Sequence, residues 1–148
     1  MDLIAGLSLG FETALSPAAL MFCFFGVSIG MFIGVLPGIG PLAAVAMILP
    51  VTYHLEASSA LIMLAGIFYG AQYGGSTASI LLNLPGTSTT AVTAIDGYPM
   101  AQQGRAGVAL FITTITSFFG GCLAIILLMS FAPALGAMAL KFSSAEYF

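Results

Sequence analysis

The tripeptide Leu-Pro-Gly occurs twice inside otherwise apolar sequence, as Leu36-Pro37-Gly38 in GVLPGIGP and as Leu84-Pro85-Gly86 in LLNLPGTSTTA. Proline lacks a backbone N–H and glycine readily enters left-handed conformations, so each tripeptide interrupts a helix. The surroundings make such interruptions costly. Of the 148 residues, 60% are hydrophobic and 5% are charged, with a mean hydropathy of +1.15. A soluble domain carries roughly a quarter charged residues, so the composition reads as an all-α integral membrane protein with broken or re-entrant segments. In lipid, a broken helix is tolerated only where protein buries it or where it lines a cavity.

The chain divides around these breaks at residues 36–41 and 83–90. Leu3, Leu7 and Phe11 recur at helical spacing between Asp2 and Glu12, which predicts an interfacial helix over 3–14. The N-terminus carries acids where a signal peptide carries bases, so the first segments are expected to be retained. Ser16-Pro17 reads as an N-cap and a first-turn proline for a span over 18–36. From Pro41 a short apolar piece stops near Pro50 and reads as a half-helix or re-entrant segment, followed by a wet loop at 51–56. Further spans are expected over 57–83 and 106–131. Between them, the polar run from Asp96 to Gly107 reads as a loop, and 134–142 reads as an amphipathic or interfacial tail.

Two glycine rows lead into the breaks. Gly26, Gly30 and Gly34 continue to Gly38, while Gly66, Gly70 and Gly74 precede the second break. Residues four apart share a helix face, so each row forms a groove into which a neighbouring backbone can press. The rows are offset by 40 residues and the breaks by 48, a recurrence of motif without a demonstrated duplication.

The second break is the richer in chemistry. Ser76, Thr77 and Ser79 precede it, Asn83 abuts it, and Thr87, Ser88, Thr89 and Thr90 follow. A half-helix starting after Gly86 presents free N–H groups and a positive dipole end, which suits a carboxylate without any basic side chain. Free carbonyls, Asn83 and the Thr87 hydroxyl are hard oxygen ligands that suit Na⁺. The competing reading of the hydroxyls is capping and interhelical hydrogen bonding.

Other polar residues carry less. Asp96 in Asp-Gly-Tyr-Pro reads as turn chemistry, with a coupling-ion ligand as the alternative. His54 reads as a solvated loop residue and Arg105 as a topology anchor. Cys23 and Cys122 read as small buried hydrophobes. No catalytic triad, metal cluster, phosphate loop or Lys/Arg run is present, so enzymes and nucleic-acid binders find no support and no cofactor is expected.

The strings GVLPGIGP, YGAQYGGSTASILLNLPGT, AIDGYPMAQQGRAG, FAP and KFSSAEYF resemble the N-terminal part of the large membrane subunit of tripartite tricarboxylate transporters, the TctA family. The resemblance covers essentially the whole chain. It implies a multi-pass permease of the bacterial inner membrane, working with a small four-helix membrane subunit and a periplasmic solute-binding protein. Such a permease takes up tricarboxylates or related carboxylates, driven by an Na⁺ or H⁺ gradient. It also implies two inverted repeats, of which this chain would be one half and hence a fragment of a longer protein. The matching motif positions are Pro37, Gly38 and Gly40, and Pro85, Gly86, Thr87, Ser88 and Thr89. The readings to be separated from transport are an assembly module that oligomerises through its glycine rows and an ion channel.

Overall fold

The computed structural model describes residues 3–139, all-helical apart from turns and the breaks: α1 (Leu3–Ala14), α2 (Pro17–Val35), α3 (Gly40–Thr52), α4 (Ala57–Leu82), α5 (Ser88–Met100), a π-helical turn (Ala101–Arg105) and α6 (Ala106–Ala139). Asp2, Lys141 and the last residues of the expected 134–142 tail lie outside the described residues. The chain forms two compact units, Met1–Leu110 and Phe111–Phe148.

In the first unit, α2 and α4 pack backbone to backbone. A Cβ on Gly26, Gly30 or Gly34 would collide with the carbonyl oxygens of Met63, Ile67 and Ala71 respectively. Reciprocally, a Cβ on Gly70 or Gly74 would strike the carbonyls of Val27 and Met31, and one on Gly66 would lie 3.0 Å from that of Cys23. The two rows therefore interlock with each other within one chain, which uses up the surface that the assembly reading assigned to a second copy. The partners ascend together, Gly26 with Met63 and Gly34 with Ala71, so α2 and α4 run parallel.

Parallel neighbours need a return leg, and α3 is that leg. Its 13 residues extend about 20 Å, and they continue through Pro50 to Thr52. The segment read as a half-helix or re-entrant segment is this 13-residue helix, which leads from the end of α2 to the start of α4. Pro50 removes one i→i−4 bond, and the helix ends two residues later at Thr52. Ala44 of α3 is fully buried with Met63 and Ile67 of α4, and Phe22, Ile29, Ile33, Val45 and Ile48 pack around them.

The centre of this unit is α4, with eleven buried residues along its length. Among the described residues, two stretches are long and apolar enough to cross a membrane, Pro17–Val35 at mean hydropathy 2.2 and Ser88–Ala132 at 2.1. Being wrapped by α2, α3 and α5, α4 has no need of lipid-grade side chains. Its 26 residues still reach about 39 Å. In α1, Ser8 and Thr13 donate back to the Ala5 and Leu9 carbonyls, which hides their hydroxyls.

Most of the expected 96–107 loop is helix. Asp96 to Met100 completes α5 through Pro99, so Asp96 is a helical, exposed residue and forms no turn. The π-helical turn follows, kinked at Gly104 with φ 76°. Gly104 leaves helical geometry there, so α5 and α6 are two helices meeting at a kink. Arg105 is exposed there, and His54 is exposed in the turn between α3 and α4.

From Phe111 the second unit continues α6 without interruption through Pro133 to Ala139, so no separate tail helix begins at 134. Its large side chains are exposed in this chain, Phe118, Phe119 and Leu128 among them. Phe118 and Phe119 meet edge to face at 5.6 Å. Cys122 is exposed, contrary to the buried role expected of it, whereas Cys23 is half-buried.

The interlock generates a prediction. Gly30→Ala and Gly70→Ala should each lower stability by about 1–3 kcal/mol, because backbone atoms cannot yield as side chains do. Gly6→Ala, where nothing lies within 4 Å, should not destabilise. Thermal unfolding in detergent checks this; equal midpoints for all three would contradict the interlock.

Candidate functional site

The second break is a true re-entry. Asn83 ends α4 in the left-handed conformation at φ 56°, which asparagine tolerates better than most residues, and the Leu84 amide reaches back to the Ala78 carbonyl at 3.4 Å. The chain then returns alongside α4. Gly86 lies against Gly75, and Thr89 donates to Gln72 Oε1 at 3.3 Å. From the level of Asn83 to that of Gly75 is about 12 Å along the axis, a distance that a few extended residues at ~3.3 Å each cover.

Glycine at position 86 is imposed by space. A Cβ there would lie 2.5 Å from the Gly34 carbonyl oxygen and 3.1 Å from the Gly75 Cα, so the backbone is wedged between α2 and α4. This wedge brings the two Leu-Pro-Gly elements into contact: the Gly38 amide donates to the Gly86 carbonyl at 3.4 Å. Gly38 at φ 91° and Gly40 at φ 68° provide the left-handed turns that redirect the chain from α2 into α3.

Thr87 starts α5 with a capping box. The Thr90 amide donates to Thr87 Oγ1 at 3.3 Å, and the Thr87 amide donates to Thr90 Oγ1 at 3.0 Å. Thr90 Oγ1 also donates to the Thr87 carbonyl at 3.0 Å, and Thr87 Oγ1 lies 2.8 Å from Thr89 Oγ1. The amides of Ser88 and Thr89, first in the helix, have no intrahelical acceptor.

The result is a cleft of about 680 Å³ between the two breaks and α4. Gly38, Ile39, Gly40, Pro41 and Leu42 form one side, Phe68 and Gln72 of α4 the floor, and Gly86, Thr87, Ser88 and Thr89 the other side. The N-terminal ends of α3 and α5 both open into it, and none of the lining residues is charged. Backbone amides, two positive dipole ends, hydroxyls and one amide side chain are therefore its polar resources.

Of the residues singled out in the sequence, Gly38, Gly40, Gly86, Thr87, Ser88 and Thr89 come together here, while Pro37, Ser76, Thr77, Asn83, Pro85 and Thr90 do not line the cleft. Thr77 donates to the Tyr73 carbonyl at 2.9 Å and Ser79 to that of Gly75 at 2.8 Å, so these hydroxyls serve their own helix. Thr90 is buried against Gly75 as the cap partner. Asn83 is exposed at the end of α4 and does not line the cleft, whereas Thr87 does. Sequence reading passed over Phe68 and Gln72. A lone side-chain amide in a helix otherwise buried among glycines was the available signal for Gln72.

Fold and cleft together define a class, an all-α membrane protein whose interrupted helices turn their N-terminal ends into one pocket. Residues 20–148 match the tripartite tricarboxylate transporter TctA family. A protein of Agrobacterium vitis, described as an uncharacterized 52.8 kDa protein in the TAR-I ttuC' 3' region, is 60% identical over 148 residues, covering 100% of this chain and 30% of its own length. No solved structure matches. The chain belongs to the TctA family, a family of membrane transporters, and spans 30% of the length of that relative.

The cap can be tested directly. Thr87→Val should remove about 1 kcal/mol of capping, and amide hydrogen exchange at Thr90 and Ala91, which donate to Thr87, should accelerate roughly five-fold. Thr87→Ser should restore protection. Unchanged exchange in Thr87→Val would contradict the capping geometry.

Proposed function

We propose that this chain is the N-terminal part of the permease of a binding-protein-dependent secondary active transporter for tricarboxylates or related carboxylates, driven by an Na⁺ or H⁺ gradient across the bacterial inner membrane. A small four-helix membrane subunit and a periplasmic solute-binding protein complete the system. The cleft supplies one wall of the carboxylate site, and the remaining length of the permease, arranged as an inverted repeat, supplies the facing wall. Alternating access then exposes the site to either side of the membrane.

The observation that carries this reading is the convergence of two helix N-termini on an uncharged cleft through the contact of Gly38 with Gly86. A carboxylate entering it receives amide donors and dipole stabilisation while no buried lysine or arginine has to be desolvated. The charge-free lining also lets the solute leave again, as transport requires. Partly buried helix dipoles stabilise an anion by up to about 2 kcal/mol each, enough for selection and too little for a trap.

Ser88→Asp separates folding from function. Acids are favoured in the first turn of a helix, so α5 should fold at least as well. The new carboxylate would occupy the donors offered to the solute. In the complete permease with its partners, uptake of labelled citrate should fall at least ten-fold with an undiminished melting temperature. Uptake equal to wild type would overturn the proposal.

A further inference from the structure

Gln72 is the only side-chain amide in the lining, half-buried on α4 between the two breaks. Its Oε1 accepts from Thr89 Oγ1 at 3.3 Å, and Thr89 Oγ1 lies 2.8 Å from Thr87 Oγ1. Among the described residues, Nε2 has no protein partner.

The hydroxyl protons can be assigned in order. Thr90 Oγ1 takes the Thr87 amide and gives its proton to the Thr87 carbonyl; Thr87 Oγ1 takes the Thr90 amide. The Thr87 proton goes either to Thr89 Oγ1 at 2.8 Å or to Thr90 Oγ1 at 3.2 Å, and with either choice the Thr89 proton goes to Gln72 Oε1. Each hydroxyl has one proton, so this order leaves both Nε2 protons for the cleft. The opposite order would have Thr89 donate to Thr87 and turn the amide oxygen into the cleft. That arrangement aims an acceptor at an anion, and a bound carboxylate therefore selects the first order.

We propose that Gln72 is a substrate-selecting residue of the cleft: its amide, oriented by the Thr87–Thr89 hydroxyl chain, donates from Nε2 to a carboxylate oxygen of the solute. Thr89 is a positioning residue that acts through Gln72. The inference rests on the carboxylate reading of the cleft and adds to it a donor outside the two breaks. It also explains why a helix packed on glycines keeps one long polar side chain at this position.

The test is calorimetric binding of citrate, succinate and acetate to the complete permease in detergent, with melting temperature recorded for each variant. Hydrogen bonds to charged groups imply that Gln72→Ala weakens binding about ten- to hundred-fold. Gln72→Glu, equal in shape, should abolish binding at unchanged melting temperature, because an acceptor then faces the anion. Thr89→Val should weaken binding several-fold while Thr89→Ser retains it, a rescue that a purely structural role would not single out. Thr77→Val, whose hydroxyl serves only its own helix, should bind as wild type does. If Gln72→Glu and Thr89→Val bind as wild type does, the role of Gln72 is overturned. A wild-type permease that binds none of the three solutes overturns the carboxylate reading itself, a different outcome from the first.

Discussion

Two helix backbones in contact along three helical turns, with a glycine at each point of approach, determine the rest of the first unit. Because Gly26, Gly30 and Gly34 face carbonyls of α4 while Gly66, Gly70 and Gly74 face those of α2, the separation of the two helices is set by main-chain atoms. In lipid, where association gains little from the hydrophobic effect, close packing of this kind is the main driving force available between helices. The parallel sense of the pair then requires α3 to travel back. That requirement places the N-terminal end of α3 beside the end of α2, at the edge of the groove into which Gly86 inserts.

From this contact the chemistry follows with few further choices. Gly34 and Gly75 leave room for one backbone strand and no side chain, and the returning second break fills it. Once Gly86 is seated, Thr87 can cap α5 at the level of Gln72, and two helix N-termini share a cleft. An uncharged anion site built in this way is compatible with a membrane interior. Its donors are fixed by backbone geometry, and no ionised side chain has to be buried without a partner.

Much of this order is legible in the residues. The glycine rows, the Ser16-Pro17 start of α2 and the interruptions at the two Leu-Pro-Gly sites all rest on local stereochemistry, which the chain displays residue by residue. What is not legible is whatever depends on a neighbour. Nothing local says that the rows face one another, so neither the parallel sense nor the return course of α3 could be read. The Asp96 to Arg105 run looks like a loop because Gly, Pro and Gln crowd it, yet α5 carries helix through Pro99 and the break from helical geometry falls at Gly104. Asn83 and Thr87 are close in sequence, yet only Thr87 lines the cleft, whereas Gln72 and Thr89 are far apart in sequence and hydrogen-bonded. The hydroxyls divide for the same reason: Thr77 and Thr90 serve the backbone, and Ser88 and Thr89 face the cleft.

The central claim is that the two breaks form one site. Short-span thiol cross-linking tests it most directly, in a complete permease whose Cys23 and Cys122 are replaced by alanine. Ile39 and Ser88 line the same cleft, whereas Asn83 lies beyond it at the end of α4. The pair Ile39→Cys with Ser88→Cys should cross-link rapidly, and added carboxylate solute should slow the reaction. The pair Ile39→Cys with Asn83→Cys should remain uncross-linked. Efficient cross-linking of the second pair and none of the first would contradict the account.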